Sequence, residues 1–182
     1  MSNPTRTRLH PGPLPQEVAW RAVARCVGVS AVLLARRRVH LSRHNVGLRL
    51  RFADGGTGRV YRETLVDRSP ATRPCALLVT FRLRWVHGRL HAPFRAVSLF
   101  NTPLFVGFPG FVSKLWVAHD DVDEAYRGVY EWDDPEQAEA YAGSLWRVLA
   151  LVSVPGSIDY EIQPGVHRDD LLPSLTAPEQ PA

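Results

Sequence analysis

The fold is decided around Phe108-Pro109-Gly110-Phe111-Val112-Ser113-Lys114-Leu115-Trp116. Pro109 and Gly110 are typical of a bend between two elements. The residues from 111 to 118 are mostly apolar, which predicts a buried strand. Lys114 within it is the only lysine among 22 basic residues. The stretch is therefore predicted to be the entry to a core strand.

The residues after this strand predict a hairpin, a helix and a last strand. An acidic turn at 120–124 leads to a second strand at 126–132. Asp134 fits a helix N-cap, with Pro135 in the first turn. The helix carries an apolar stripe at 3.6-residue spacing, made by Ala138, Tyr141, Leu145, Val148, Leu149 and Val152. After this helix, an alternating pattern at 158–162 predicts the last strand.

The residues before the opening stretch complete a six-element pattern. The segment 75–85 alternates in the way a strand does, and 91–100 is predicted to be a helix. Residues 75–163 therefore follow the order strand, helix, strand, strand, helix, strand of an α+β, ferredoxin-like fold. Both helices of such a fold cover one face of the sheet. The other face would be bare and apolar, so we expect it to be buried against a second copy in a homodimer.

The remaining residues are predicted to be an extension and two mobile ends. Prolines within 1–15 indicate a disordered arm, and 164–182 is predicted to be a mobile tail. Within the extension 16–70, apolar spacing over 16–38 predicts a helix. Its apolar middle has 13 residues, too few for a bilayer that needs about 20, so a docked helix is favoured over a membrane-surface helix. Strand patterns at 46–52 and 59–66, joined by a glycine-rich turn at 54–58, predict a β-hairpin that extends the sheet or covers it.

Composition argues against several classes of function. The chain has 182 residues, of which 45% are hydrophobic and 22% charged, as is typical of soluble globular proteins. Cys26 and Cys75 lack metal or redox spacing and are predicted to be buried free thiols in a cytoplasmic protein. Residues 1–50 carry a charge of +8, but 21 arginines to one lysine indicate a compositional bias, so we expect no nucleic-acid partner. The histidines form no metal set, and no metal or cofactor is predicted.

Several residues of the opening stretch and beyond resemble those of a known family. They are Pro109, Gly110 and Phe111 with Lys114 and Trp116, then Gly128, Val129 and Tyr130, and then Asp134 with Ala138, Ala140 and Tyr141. Over 75–163, about half of the chain, the sequence resembles the small YdhR-type monooxygenase-like proteins of the dimeric α+β barrel superfamily. The resemblance implies a homodimer whose subunits each hold a pocket between sheet and helices. The first 70 residues depart from this family.

The resemblance also implies a candidate activity. Some members of the superfamily oxidise quinol-like polycyclic substrates with O₂, without metal or flavin, while polar groups favour substrate deprotonation and hold the oxygenated intermediate. By residue type and element, Trp116, Tyr130 and Asn101 are the candidate catalytic donors. An apolar pocket suits such a substrate, and the candidates for its lining are Phe94, Phe105, Tyr126, Tyr141 and Trp146.

Other interpretations of the same residues stay open. The scaffold also suits a non-catalytic ligand-binding or interaction protein, and its apolar pocket suits a cyclase or isomerase. Packing is the favoured account of Trp116 and Tyr130, and capping accounts for Asn101 at least as well as catalysis does. A buried Lys114 could form a Schiff base. For a lysine on a strand, however, we favour a subunit interface and pairing with Asp or Glu.

Overall fold

The computed structural model describes residues 13–69, 71–84, 98–119 and 125–176. The elements of these residues are, in chain order, helix α1 (Gln16–Ala35), strands β1 (Val39–Ser42), β2 (Arg49–Arg51), β3 (Thr57–Val66) and β4 (Cys75–Arg82), a 3₁₀ helix (Ser98–Leu104), strands β5 (Phe111–His119) and β6 (Ala125–Trp132), helix α2 (Pro135–Val152), strand β7 (Asp159–Pro164) and helix α3 (Arg168–Leu175).

The strands form one antiparallel sheet that runs through both halves of the chain. Its order is β1-β3-β5-β6-β4-β7, and β2 also pairs with β3. The part β7-β4-β6-β5 has the first and third strands in the centre, as a ferredoxin-like sheet does. The predicted α+β ferredoxin-like fold, preceded by a helix and a β-hairpin, is therefore confirmed. Because β3 pairs with β5, the extension belongs to the same sheet as the 75–163 segment.

One face of the sheet is covered by helices. α2 begins as predicted, because the Asp134 side chain accepts a hydrogen bond of 2.8 Å from the Glu136 amide. The main core cluster joins α1 and α2 to the sheet, and its members include Val23, Cys26, Leu77, Trp116, Tyr130, Trp132, Ala138 and Tyr141. Cys26 and Cys75 are buried free thiols, as predicted. Of the predicted helix 91–100, residues 91–97 lie outside the described residues, and 98–100 belong to the 3₁₀ helix.

The second face is covered by the chain itself, which corrects the prediction of a mobile tail for residues 168–175. These residues form α3, which packs on a second cluster containing Leu50, Leu115, Val129 and Leu172. An ion pair of 2.9 Å joins Arg168 of α3 to Glu63 of β3, and both side chains are buried. Homodimerisation was predicted from a bare second face. The described residues place α3 on that face, so dimerisation stays a prediction without that support.

Two strands near the hairpin differ from the prediction: one was not predicted, and the other is shorter than predicted. β1 was not predicted, since its short sequence becomes a strand only by pairing with the end of β3, where Val39 faces Val66. The strand predicted over 46–52 is reduced to β2. Gly47 has a φ of +98°, a value incompatible with extended backbone, so the strand begins after it.

α1 ends three residues before the predicted helix 16–38 does and is more exposed than the sequence suggested. Its 20 residues are long and apolar enough to span a membrane by length and composition alone, although core helices of soluble proteins and signal sequences meet the same criteria. Val23, Cys26 and Ser30 are buried against the rest of the protein. The rest of the helix surface exposes large apolar side chains, namely Val18, Trp20, Val27, Val29, Val32 and Leu34.

Gly107 is expected to control the docking of α1. A Cβ at this position would lie 2.1 Å from the Cys26 carbonyl oxygen and 2.6 Å from Ser30 Oγ. We expect Gly107→Ala to lower the free energy of unfolding by about 1–3 kcal/mol, because α1 must move away. Gly28→Ala is the control: nothing lies within 4 Å of its added Cβ, and alanine should stabilise the helix by about 0.5–1 kcal/mol. Urea unfolding of both variants measures the difference, and equal stabilities would contradict the close contact.

Candidate functional site

Lys114 lies on β5, and its amine is enclosed by aromatic rings. Its strand neighbours are Thr64 on β3 and Tyr130 on β6. The distance from Lys114 Nζ to the ring centroid is 3.2 Å for Trp116, 4.6 Å for Phe105 and 4.7 Å for Tyr130. Lys114 exposes only 6% of its surface. The amine is therefore held in the core, on the face of the sheet that the helices cover.

The surroundings of Lys114 favour its uncharged form. Burial lowers the pKa of Lys114 well below its ordinary value, and the nearby Arg62 guanidinium lowers it further. Within the described residues no carboxylate forms an ion pair with this amine, so the ring faces are the main attraction for an ammonium. An uncharged amine has a free lone pair and can act as a base or as a nucleophile.

Tyr130 and Tyr141 form a hydroxyl pair beside this amine. Tyr141 Oη donates to Tyr130 Oη at 3.2 Å, and both side chains are buried. Burial raises the pKa of both phenols, so both stay protonated. Because Tyr130 accepts from Tyr141, its own hydroxyl proton is available to a different acceptor. The site therefore combines a basic amine with a phenol that can donate.

Trp116 contributes its ring to the site, because its N–H group already has a partner. Trp116 Nε1 donates to Thr64 Oγ1 at 3.2 Å inside the protein. The geometry therefore does not support the role predicted for Trp116, a donor to an oxyanion. The Arg62 guanidinium carbon lies 5.2 Å from the centroid of the same ring. Trp116 thus contacts both the Arg62 guanidinium and the Lys114 amine.

The structure brings four of the predicted site residues together. Phe105 packs edge-on against Trp116 and Tyr130, with centroid distances of 5.4 Å and 6.5 Å. The rings of Tyr130 and Tyr141 lie 5.5 Å apart. Phe105, Trp116 and Tyr130 therefore surround the Lys114 amine, and Tyr141 joins them through Tyr130; we call these four residues the aromatic cage.

The other predicted site residues lie elsewhere. Asn101 is exposed on the 3₁₀ helix, so it is not buried with the aromatic cage. Tyr126 stacks on Phe81, with centroids 6.1 Å apart, and Trp146 packs against Tyr160 at 5.7 Å. Phe94 lies outside the described residues. Within the part of the chain that the structure describes, no group of three His, Cys, Asp or Glu residues could hold a metal ion.

Sequence reasoning assigned Lys114 the wrong surroundings. The predicted acidic partner and interface position are replaced by the aromatic cage of its own subunit. Two features of the sequence could have identified Lys114 as a buried site residue. It is the only lysine of the chain, and it lies two residues before Trp116, on the same side of a strand that is mostly apolar.

Comparisons with known proteins find only distant structural similarity. No protein-family model and no curated protein sequence matches the chain. An anthrone oxidase-like protein shares 10% identity at a TM-score of 0.39, over 62% of this chain and 58% of that chain. A heme-degrading enzyme from Listeria monocytogenes shares 15% identity at a TM-score of 0.43, over 68% of this chain and 96% of that one.

A third solved structure comes from the same organism. It is an uncharacterized ferredoxin-fold protein related to antibiotic biosynthesis monooxygenases, with 14% identity and a TM-score of 0.40, over 72% of this chain and 84% of that one. All three similarities are too distant to indicate a reaction. The chain spans little over half the length of the anthrone oxidase-like protein.

Proposed function

We propose that this chain is a cofactor-independent monooxygenase that acts on a polycyclic phenol whose keto tautomer carries a CH₂ group. The observation that carries the proposal is the enclosed amine of Lys114, whose surroundings favour the uncharged form. Such a substrate is a weak acid and becomes reactive towards O₂ once it loses a proton. The aromatic cage supplies an apolar environment of the kind that polycyclic ligands prefer.

Lys114 is the proposed base. Its lone pair takes a proton from the CH₂ group, which leaves a delocalised carbanion next to an ammonium. The faces of Trp116, Phe105 and Tyr130 attract that ammonium, so the charge formed during the reaction is stabilised by groups already in place. The Tyr130 hydroxyl, which accepts from Tyr141, donates its own proton in a hydrogen bond to the developing oxyanion.

The oxidation balances without a further reactant. The carbanion reduces O₂ and forms a C–O bond, and the Lys114 ammonium returns its proton to the distal oxygen of the peroxide. Lys114 then removes the second proton of the former CH₂ carbon. The electrons of that C–H bond form the carbonyl, the O–O bond breaks, and the departing hydroxide takes the proton from Lys114 and leaves as water. One molecule of O₂ thus converts CH₂ to C=O and water.

Oxygen uptake with anthrone and 1,8-dihydroxyanthrone tests this proposal. We expect the wild type to consume one O₂ per quinone formed and Lys114→Met to be slower by about 10²–10⁴-fold, the usual contribution of a general base. Tyr130→Phe should lose about 10²-fold, as for an oxyanion donor. Tyr160→Phe is the matched control, since it removes a buried tyrosine hydroxyl outside the aromatic cage.

The same experiment separates the alternatives. Deuterium exchange at the CH₂ group without oxygen uptake would contradict the oxygenase and support an isomerase or cyclase that uses the same amine. Tight binding without exchange or uptake would support a ligand-binding protein. Wild-type turnover by Lys114→Met would contradict every mechanism that uses Lys114 as the base.

A further inference from the structure

We propose that a groove between α1 and the C-terminal end of β3 binds an organic anion with an apolar body, an acyl or aryl carboxylate. The groove has a volume of about 280 Å³. Three groups of residues line it: Arg25, Val29 and Leu33 of α1; Arg38, Val66, Asp67 and Arg68 around β3; and the segment from Val106 to Phe111. We call it the α1–β3 groove. It is independent of the proposed reaction.

The floor of the groove is apolar and rigid. Val106, Phe108 and Phe111 expose between 1% and 8% of their surface and belong to the main core cluster. Val29, on the α1 wall, is 41% exposed. An apolar ligand body lying on this floor would remove the Val29 side chain from water together with its own surface. The gain is about 25 cal/mol for each Å² of apolar surface buried.

The rim of the groove is positive. Arg38 Nη2 donates to the Asp67 carbonyl oxygen at 2.6 Å, and Arg68 Nη1 donates to the Phe111 carbonyl oxygen at 2.8 Å. These neutral oxygens hold the guanidinium groups in place without cancelling their charge. Arg25 makes no hydrogen bond or ion pair with the described residues. Its charge is therefore open to a ligand.

The acids near the rim already have partners. Among the lining residues the one carboxylate is that of Asp67, which lies 2.8 Å from His40 Nε2. Asp133, outside the groove, pairs with Arg68 at 3.4 Å. The three guanidinium groups of Arg25, Arg38 and Arg68 therefore face two carboxylates, Asp67 in the lining and Asp133 outside it, which leaves an excess of one positive charge. This excess favours an anion over a neutral or cationic ligand, and guanidinium groups match carboxylates in geometry.

Size and position restrict the ligand further. A volume of about 280 Å³ lies just below the usual range of ligand pockets, which begins at about 300 Å³, so a medium-chain or two-ring acid fits and a sterol does not. The Phe111 ring lies 5.1 Å from Phe105, which in turn lies 4.6 Å from Lys114 Nζ. One aromatic layer therefore separates the groove from the amine, and the two sites can be tested separately.

Calorimetric titration of the full chain with decanoate and 1-naphthoate tests the groove. We expect saturable binding of both acids, at least tenfold weaker binding of decanol and decyltrimethylammonium, and weaker binding of the acids as salt rises. Arg25→Gln and the double variant Arg25→Gln/Arg38→Gln should weaken acid binding by about tenfold or more. Arg21→Gln is the matched control, because Arg21 lies one turn earlier on α1 and outside the groove.

Three results would overturn the proposal. One is equal affinity for decanol and decanoate, which would mean that the rim charges play no part. Another is unchanged acid binding by Arg25→Gln, an exposed position whose replacement should leave the fold intact. The third is no binding of either acid, with binding only to vesicles of anionic phospholipid. That result would assign the arginines to a membrane surface.

Discussion

Lys114→Met is expected to stabilise the protein while it removes the proposed base. Methionine has nearly the same length as lysine and fills the aromatic cage without a polar group. A buried polar group without a compensating hydrogen bond costs about 1–3 kcal/mol, and we expect the free energy of unfolding to rise by about that amount. Lower activity with higher stability separates a functional residue from a structural one, because loss of a structural residue lowers both.

The stability gained by Lys114→Met should depend on pH in a defined direction. The pKa of Lys114 is depressed in the folded state, so between that value and the ordinary lysine value the unfolded chain binds one more proton. The wild type therefore gains stability as pH rises through this window, by up to about 1.4 kcal/mol per pH unit. Lys114→Met lacks this slope. Its advantage should be largest at neutral pH and shrink towards pH 10, as measured by urea unfolding across that range. Parallel stability curves would contradict a depressed pKa.

Arg168→Met is expected to be the most destabilising single change. It leaves Glu63 buried without its cationic partner, and breaking a buried ion pair costs about 3–5 kcal/mol. The loss should free α3 from the sheet and expose the cluster around Leu115, Val129 and Leu172. Urea unfolding measures the loss, and dye binding or self-association reports the exposed face. Asp169→Asn is the control, since Asp169 contacts the same Arg168 but is 65% exposed at the side chain.

The stability lost in Arg168→Met should also vary with pH. Burial alone would raise the pKa of Glu63, but hydrogen bonds from Asn45 and Ser42 and the Arg168 charge outweigh it and lower the pKa. A depressed carboxyl pKa gives stability that is present above the ordinary glutamate value and is lost as pH falls through the folded value. The difference between wild type and Arg168→Met should therefore be large at pH 7 and decrease in acid. A difference that does not change with pH would mean that α3 is held by packing alone.

α3 covers the face of the sheet through which two copies of the chain were expected to pair. A ferredoxin-like sheet with helices on one side leaves an apolar surface, and pairing of two copies is one way to bury it. Here Leu171 and Leu172 of the tail lie on that surface instead. The wild type can therefore bury both faces as a single chain, and Arg168→Met is the variant in which pairing through this face would first be seen.

Local sequence patterns were sufficient to predict most of the helices and strands. The Asp134 cap, the apolar stripe of α2, the alternation in β4 and β7 and the apolar run of β5 each depend on residues within a few positions of one another, so they could be predicted. β1 and α3 were missed for the opposite reason. A four-residue strand and a short acidic helix have weak propensity, and each forms because it meets a partner far away in sequence: Val39 opposite Val66, and Arg168 against Glu63.

The sequence by itself determined the order of the four strands over 75–163, and with it the ferredoxin-like part of the sheet. It also marked Tyr130 and Trp116 as neighbours on adjacent strands. Only the tertiary structure decided the charge state of Lys114, because the charge state of an amine depends on every group within several ångströms. Those groups come from β3, β5, β6 and the segment after the 3₁₀ helix. The same stretch that marks the fold thus carries the proposed base, and burial rather than sequence pattern is the reason.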